Sequence, residues 1–363
     1  MIARAFMLLM LLAGCVPHAI LAPLPEEAST REVIPVFTAT NRLALQGTGS
    51  AERSEALTFG RFDVAVPPQR RMGELRSPDG RVDPDTDFLV AEAVRYSAAD
   101  RFRADLSRTL RRLPPSERDV VVYVHGFNNN FADGVLRQAQ LTHDFGLKGA
   151  AVHFSWPSAA NPLGYVYDRG SALFSRDALE EVLRLVQVPE ARRVGIVAHS
   201  MGALLTMETL RQMAIAKPGS VAREIDGVIL LSPDIDIDVF RSQARRIGKL
   251  PDTFAVFLSE RDRALTLSAR LTGVNERLGS LSDPTRIAEF DVVLVDVSEF
   301  SRGVGHFPAG SSAPLISIIA AASAVDNAFA SDVSGRSGIL PGSVITVQNV
   351  TEFVLTAGGN VGP

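Results

Sequence analysis

The chain has 363 residues, 46% hydrophobic and 21% charged, with a formal net charge of −4 at pH 7. That balance belongs to a globular protein with a sizeable core, and it lacks the basic field that would point to nucleic acid or to acidic lipid. The single cysteine, Cys15, excludes a disulfide within the chain, and the length allows one large α/β domain or two smaller ones.

The first residues, MIARAFMLLMLLAGC, put Arg4 ahead of a short apolar run. The run is about ten residues, too short to span a bilayer in the usual way, and residues 1–14 read as a signal peptide. Leu12-Ala13-Gly14-Cys15 resembles a bacterial lipobox, in which the cysteine becomes the acylated first residue of the mature protein. Val16 after it, rather than Asp, implies by the same resemblance the outer membrane, facing the periplasm. An ordinary cut near Ala22 is the alternative, and Pro23 disfavours it. Residues 15–31, rich in Pro, Ala and Glu, read as a tether outside the fold.

From Val33 the pattern is globular. VIPVFTATNR (33–42) reads as a strand, and a second strand ends at Pro67-Pro68. Residues 86–113 mix a short strand with a helix. DVVVYVHGF (119–127) is a continuous apolar run, the mark of a strand buried on both faces. Helical spacing follows over 131–147, a strand over 149–157, and one helix over 168–187. Then come strand 192–200, helix 201–216, strand 225–233, helix 237–248, strand 252–259 and a last strand over 289–298. Such alternation predicts a mostly parallel sheet with helices on both faces, an α/β fold occupying 32–325. Residues 311–333 suit a final helix. The extension 326–363 holds two short strand-like runs, and the pattern leaves a hairpin, a partner-binding piece or a mobile end open.

Ala198-His199-Ser200-Met201-Gly202, between a β-branched strand and a small-residue helix, fits a nucleophile elbow with Ala in the first glycine position. The tight turn requires small residues two before and two after the serine. It would hold Ser200 at a helix N-terminus, where the dipole favours developing negative charge. The plain alternative is a helix-capping serine, which needs neither the small flanks nor the adjacent histidine.

An activated serine needs an oxyanion hole, a base and an acid that orients the base. His125-Gly126, ending an earlier strand, resembles the oxyanion loop of lipases and esterases, with the N–H groups of Phe127 and Met201 as donors. Of the six histidines, His18 lies in the tether, His125 shapes the loop, His143 falls on a helix and His153 on a core strand. His199 points away from the nucleophile along its strand. His306, in the glycine-rich SRGVGHFPAG after the last strong strand, is the base. The acid is expected after strand 252–259, where Asp262 is the choice and Glu260 the local competitor. Asp234 and Asp236 compete from the preceding loop, although their ordinary role is to cap and charge the next helix. No spacing matches an EF-hand, no His/Cys/Asp cluster suggests zinc, and no cofactor is expected.

The ordered set VFTATNR, FGRFDVAVP, YVHGFNNNF, FSWPSAANPLGYVYDRGSA, AHSMG and LLSPDIDIDVF resembles the DUF900 family of bacterial α/β hydrolases, esterase- and lipase-like proteins. The resemblance runs from Val33 to Pro308 and implies an α/β-hydrolase fold with a serine nucleophile, without fixing the substrate. Within it, Trp156 either walls a pocket or packs under a loop, and Tyr165 and Asp168 either line the site or tie loop to helix. The sequence reading is therefore a lipid-anchored serine hydrolase acting on a small-molecule or lipid ester. A thioesterase or peptidase using the same triad, or a non-catalytic envelope binding protein, stands as the alternative.

Overall fold

The computed structural model describes residues 18–28, 31–43, 50–78, 80–273, 276–300, 308–314 and 316–317, and the strands at 344–347 and 353–356. The described chain begins with β1 (Val33–Arg42), β2 (Arg53–Ala65), β3 (Leu89–Tyr96) and α1 (Ala99–Arg111). β4 (Asp119–Val124), α2 (Phe131–Asp144), β5 (Ala150–Ser155), α3 (Tyr165–Phe174), α4 (Arg176–Leu185), β6 (Arg193–His199) and α5 (Met201–Ala216) follow. A short α6 (Ser220–Glu224), β7 (Gly227–Leu231), α7 (Ile237–Ile247), β8 (Thr253–Leu258), α8 (Arg263–Thr272) and β9 (Val293–Asp296) complete the alternation, before β10 (Val344–Val347) and β11 (Phe353–Thr356).

Among the described residues the strands form one sheet in the order β11-β10-β9-β8-β7-β6-β4-β5-β1-β2-β3. Every pairing from β1 through β5, β4, β6, β7, β8 and β9 to β10 is parallel, and β2, β3 and β11 add antiparallel edges. This is the expected mostly parallel α/β-hydrolase sheet. Val120, Val122 and Val124 of β4 are all fully buried, because helices cover both faces. α5, apolar almost all round, is buried between α4 and α7. β4 has β5 on one side and β6 on the other, so the chain reverses its direction of travel across the sheet between β4 and β6. The carboxyl ends at such a reversal splay their loops apart and leave a crevice.

Four differences from the sequence reading have local causes. The single helix expected over 168–187 is two, broken at Ser175. Its hydroxyl donates back to the Ser171 carbonyl at 2.8 Å and receives the Asn41 amide at 3.0 Å, which favours a bend. α8 had no forecast: it is a ten-residue helix, capped by Asp262 and ended by Gly273 at φ 70°. Residues 18–28, read as free tether, lie on the domain. Ala19 is buried with Phe131 and Val135, and at the edge of β3 Leu24 N–H donates to Val90 O and Val90 N–H donates to Ala22 O, both at 2.8 Å. The alanines that made this segment look like a spacer are small enough to pack flat on β3 and α2. The two runs of the extension pair as an antiparallel hairpin, and β10 joins β9 in parallel. Cys15 and the signal segment lie outside the described residues, as does most of the helix expected over 311–333.

Candidate active site

Ser200 alone makes the turn from β6 to α5. Its backbone has φ 52° and ψ −120°, a left-handed value that serine seldom adopts. Residues held there cost on the order of 1–3 kcal/mol and persist only where the surroundings impose them. Here the surroundings do so through the backbone. Ser200 N–H donates to Leu231 O at 3.0 Å, and its carbonyl receives Ala203 N–H at 3.0 Å and Asp234 N–H at 3.2 Å. Two glycines let the chains close in. A Cβ on Gly126 would stand 2.6 Å from His199 Nδ1 and 2.9 Å from Ser200 Cβ. One on Gly202 would collide with the carbonyls of Val124 and His125. The small residue that the elbow demands two positions after the serine is thus demanded by the end of β4.

The loop leaving β4 lies beside this turn. His125 is fully buried and stacks on Trp156 with centroids 4.8 Å apart at 10°. Trp156 Nε1 donates to His125 O at 2.7 Å, and His125 Nε2 lies 3.0 Å from Trp156 O. Burial holds the His125 imidazole well below its ordinary pKa, so the ring is a neutral strut. Trp156 is likewise fully buried under the loop rather than a pocket wall. Phe127 turns its ring edge-on to Tyr165 at 5.5 Å, and Asn128 takes φ 56°.

Beyond Phe127 the loop is fastened by two buried charges of opposite sign. Asp168 accepts Asn128 N–H at 3.3 Å, Ala159 N–H at 2.6 Å and the Ser158 hydroxyl at 2.5 Å. Arg42 donates to Asn129 O and Ser158 O, both at 2.8 Å, and to Ser155 Oγ at 3.0 Å. Burial pushes Arg42 down to about 10 and Asp168 up from the ordinary carboxylate range, each partly offset by the other's charge. Asp168 therefore ties loop to helix. Arg42 is the last residue of β1. A strand-end arginine gives no alternation signal that it turns inward; the carbonyls of Asn129 and Ser158 and the Ser155 hydroxyl, brought opposite it by the fold, are what it turns in to meet.

The four acids separate clearly. Asp262, fully buried after β8, caps α8 by accepting Leu265 N–H at 3.0 Å. Glu260, two residues nearer the strand, is exposed. Asp236 caps α7 through the N–H groups of Asp238 and Val239. Asp234 does not cap. It is buried in an ion pair with the equally buried Arg277 at 3.1 Å, and its oxygens also receive Tyr165 Oη at 2.8 Å and Ser268 Oγ at 2.5 Å. β7 separates β6 from β8, so the loops carrying Ser200 and Asp262 stand two strand spacings apart, about 10 Å.

His306 lies outside the described residues. His199 lies with its ring against the Gly126 position. His153 is buried among Tyr123, His125 and Phe131, and burial pushes it down to about 3. His143 sits half-buried between Glu32 and Asp144. His18 binds Asp133 and Ala160 O. Among the described residues no cluster of His, Cys, Asp or Glu is arranged to hold a metal ion, and no helix is long and apolar enough to cross a membrane.

No curated protein matches the chain significantly. Solved structures with some likeness include an esterase of Pyrobaculum calidifontis, at 13% identity, 84% of this chain, 88% of that one and a TM-score of 0.39. Others are a Rhizomucor miehei esterase, at 11% identity, 82% and 86% coverage and a TM-score of 0.37, and Aspergillus fumigatus lipase B, at 18%, 39%, 31% and 0.23. The family model DUF900, alpha/beta hydrolase of unknown function, matches residues 98–321. That span is more than half of the sequence and runs from α1 past β9, and by it the chain belongs to the DUF900 family of alpha/beta hydrolases.

Proposed function

We propose that the protein is a serine hydrolase that cleaves an ester through an acyl-enzyme on Ser200. The observation that carries this reading is the strained backbone of Ser200 at the β4/β6 reversal, with Gly126 and Gly202 pressed against it. A capping serine would need none of these. Ser200 Oγ attacks the ester carbonyl while His306 takes its proton and returns it to the leaving alkoxide. The N–H groups of Phe127 and Met201 receive the oxyanion, and Asp262 holds the imidazole in the productive tautomer. Water then attacks the acyl-enzyme with His306 as base.

The test is a fluorophosphonate probe followed by peptide mapping, with p-nitrophenyl esters of rising chain length beside a thioester and a peptide anilide. Label on Ser200 and turnover of the esters are expected. No label marks a binding protein, and a preference for the thioester or anilide reassigns the bond.

Arg42 acts here as a positioning residue. Lysine offers one ammonium where the guanidinium serves Asn129 O, Ser158 O and Ser155 Oγ together. Arg42→Lys should lower kcat by about 10²–10³-fold, the usual cost of a misplaced oxyanion donor, with KM little changed. An unchanged kcat would show that the loop holds its shape without the guanidinium.

The reading extends to the N-terminus: Cys15 carries the acyl groups of a lipoprotein, which places the enzyme on the bacterial outer membrane, facing the periplasm. The lipobox-like Leu12-Ala13-Gly14-Cys15 supports it, and globomycin should then cause the unprocessed precursor to accumulate.

A further inference from the structure

Two helices at the carboxyl edge of the sheet carry exposed apolar side chains beside the site. Leu163, on the turn into α3, is 90% exposed and Val166 83%; on α8, Leu267 is 58% and Leu271 63% exposed. The helices meet where Tyr165 Oη and Ser268 Oγ stand 2.8 Å apart, and the same Tyr165 ring packs against Phe127 of the oxyanion loop. The apolar rim therefore adjoins the mouth of the site. Leu267 and Leu271, four residues apart, share one face of α8. The other exposed positions of that helix are Arg263, Thr266 and Arg270, with no acid among them, so the exposed side of α8 is basic and apolar. Leucines flanked by arginines, whose stems lie along apolar surface while their heads stay wet, make a face suited to the headgroup boundary of a bilayer.

The start of the described chain supplies an independent observation. His18 Nδ1 lies 2.7 Å from Asp133 Oδ2, and its Nε2 lies 3.0 Å from Ala160 O. Ala19 N–H donates to Asp133 Oδ1 at 2.7 Å, and Asn130 Nδ2 to Ala19 O at 2.9 Å. Asp133 is in the first turn of α2, just after β4, and Ala160 is in the segment after β5, so both belong to the carboxyl edge. Cys15 precedes His18 by three residues, a reach of at most about 11 Å. An anchor at Cys15 would therefore not release the domain on a long tether; it would hold this edge close to the lipid.

Resting on the reading of Cys15 as the anchor and Ser200 as the nucleophile, we propose that the α3–α8 face lies on the bilayer and that the ester substrate enters Ser200's crevice from the lipid surface. The acylated full-length chain is reconstituted in vesicles of phosphatidylethanolamine and phosphatidylglycerol. An environment-sensitive dye is attached through a cysteine introduced at 166, 267 or, as a control on α7, 239. Brominated lipid should quench the dye at 166 and 267 and leave 239 unaffected. Equal behaviour at the three sites overturns the proposal. So does a dye at 267 that is shielded from water without lipid quenching, since another part of the chain then covers the face. The double variant Val166→Glu/Leu267→Glu should lose about tenfold or more of its turnover of an ester presented in vesicles, given that burying one such side chain shifts an equilibrium by roughly that factor. It should keep its rate on soluble p-nitrophenyl acetate. Equal rates on both substrates overturn the proposal. If the wild type turns over neither ester, the hydrolase reading fails by itself, and the quenching still decides whether the face meets lipid.

Discussion

Replacing Ser200 with alanine should abolish fluorophosphonate labelling and lower kcat on a p-nitrophenyl ester by on the order of 10⁶-fold, the scale seen when a triad serine is removed. The melting temperature should stay near the parent's. The turn is held by backbone bonds to Leu231, Ala203 and Asp234, and none of them uses the hydroxyl. Alanine also fits wherever serine's Cβ fits, between Gly126 and Gly202. Measuring both quantities matters, because a dead but unfolded variant would say nothing about chemistry. Parent-level turnover by a folded variant would remove Ser200 from the mechanism and with it the esterase reading.

Asp262→Asn should cost up to about 10⁴-fold in kcat, since an amide in place of the carboxylate presents the wrong partner to the base and favours the wrong tautomer. Its stability should hold, because asparagine caps a helix about as well as aspartate and keeps the Oδ1 that accepts Leu265 N–H. Asp234→Asn should do the reverse. It leaves the buried Arg277 without its counter-charge, a loss of about 3–5 kcal/mol that lowers the melting temperature by on the order of 10 °C. At a temperature where the variant is folded, its kcat should be close to the parent's. Glu260→Gln, at an exposed position, should change neither quantity much. The crossed result, with Asp234→Asn inactive and Asp262→Asn active, would move the acid to the loop after β7.

The acids also show what sequence reading could and could not reach. Asp234 and Asp236 share one short acidic run, and together they looked like a helix start. One of them is a cap and the other half of a buried ion pair, because Arg277 returns from much further along the chain to lie against Asp234. Only the chain path brings that arginine there. The break at Ser175 was hidden for a similar reason: its cause is Asn41, on a strand far away in sequence. α8 gives a weak helical signal because its buried face is only Leu265, Ser268 and Ala269 while Leu267 and Leu271 point outward, so the apolar residues do not follow a helical period.

By itself, the sequence determined the alternation of strand and helix, the bounds of β1, the tight strand-to-helix turn at Ser200 and membership in an α/β-hydrolase family. All of these follow from short-range rules: apolar period, turn sterics and the close approach that only small residues permit. Tertiary structure alone decided that β4 and β6 are neighbours at the reversal, that Arg42 and Asp168 fasten the loop after β4, and that residues 18–28 are docked beside it. The physical reason is that these are contacts between segments distant in sequence, and those of Arg42 and Asp168 are buried and polar. A buried polar group must find a partner, and nothing local in the sequence states which partner the fold will supply.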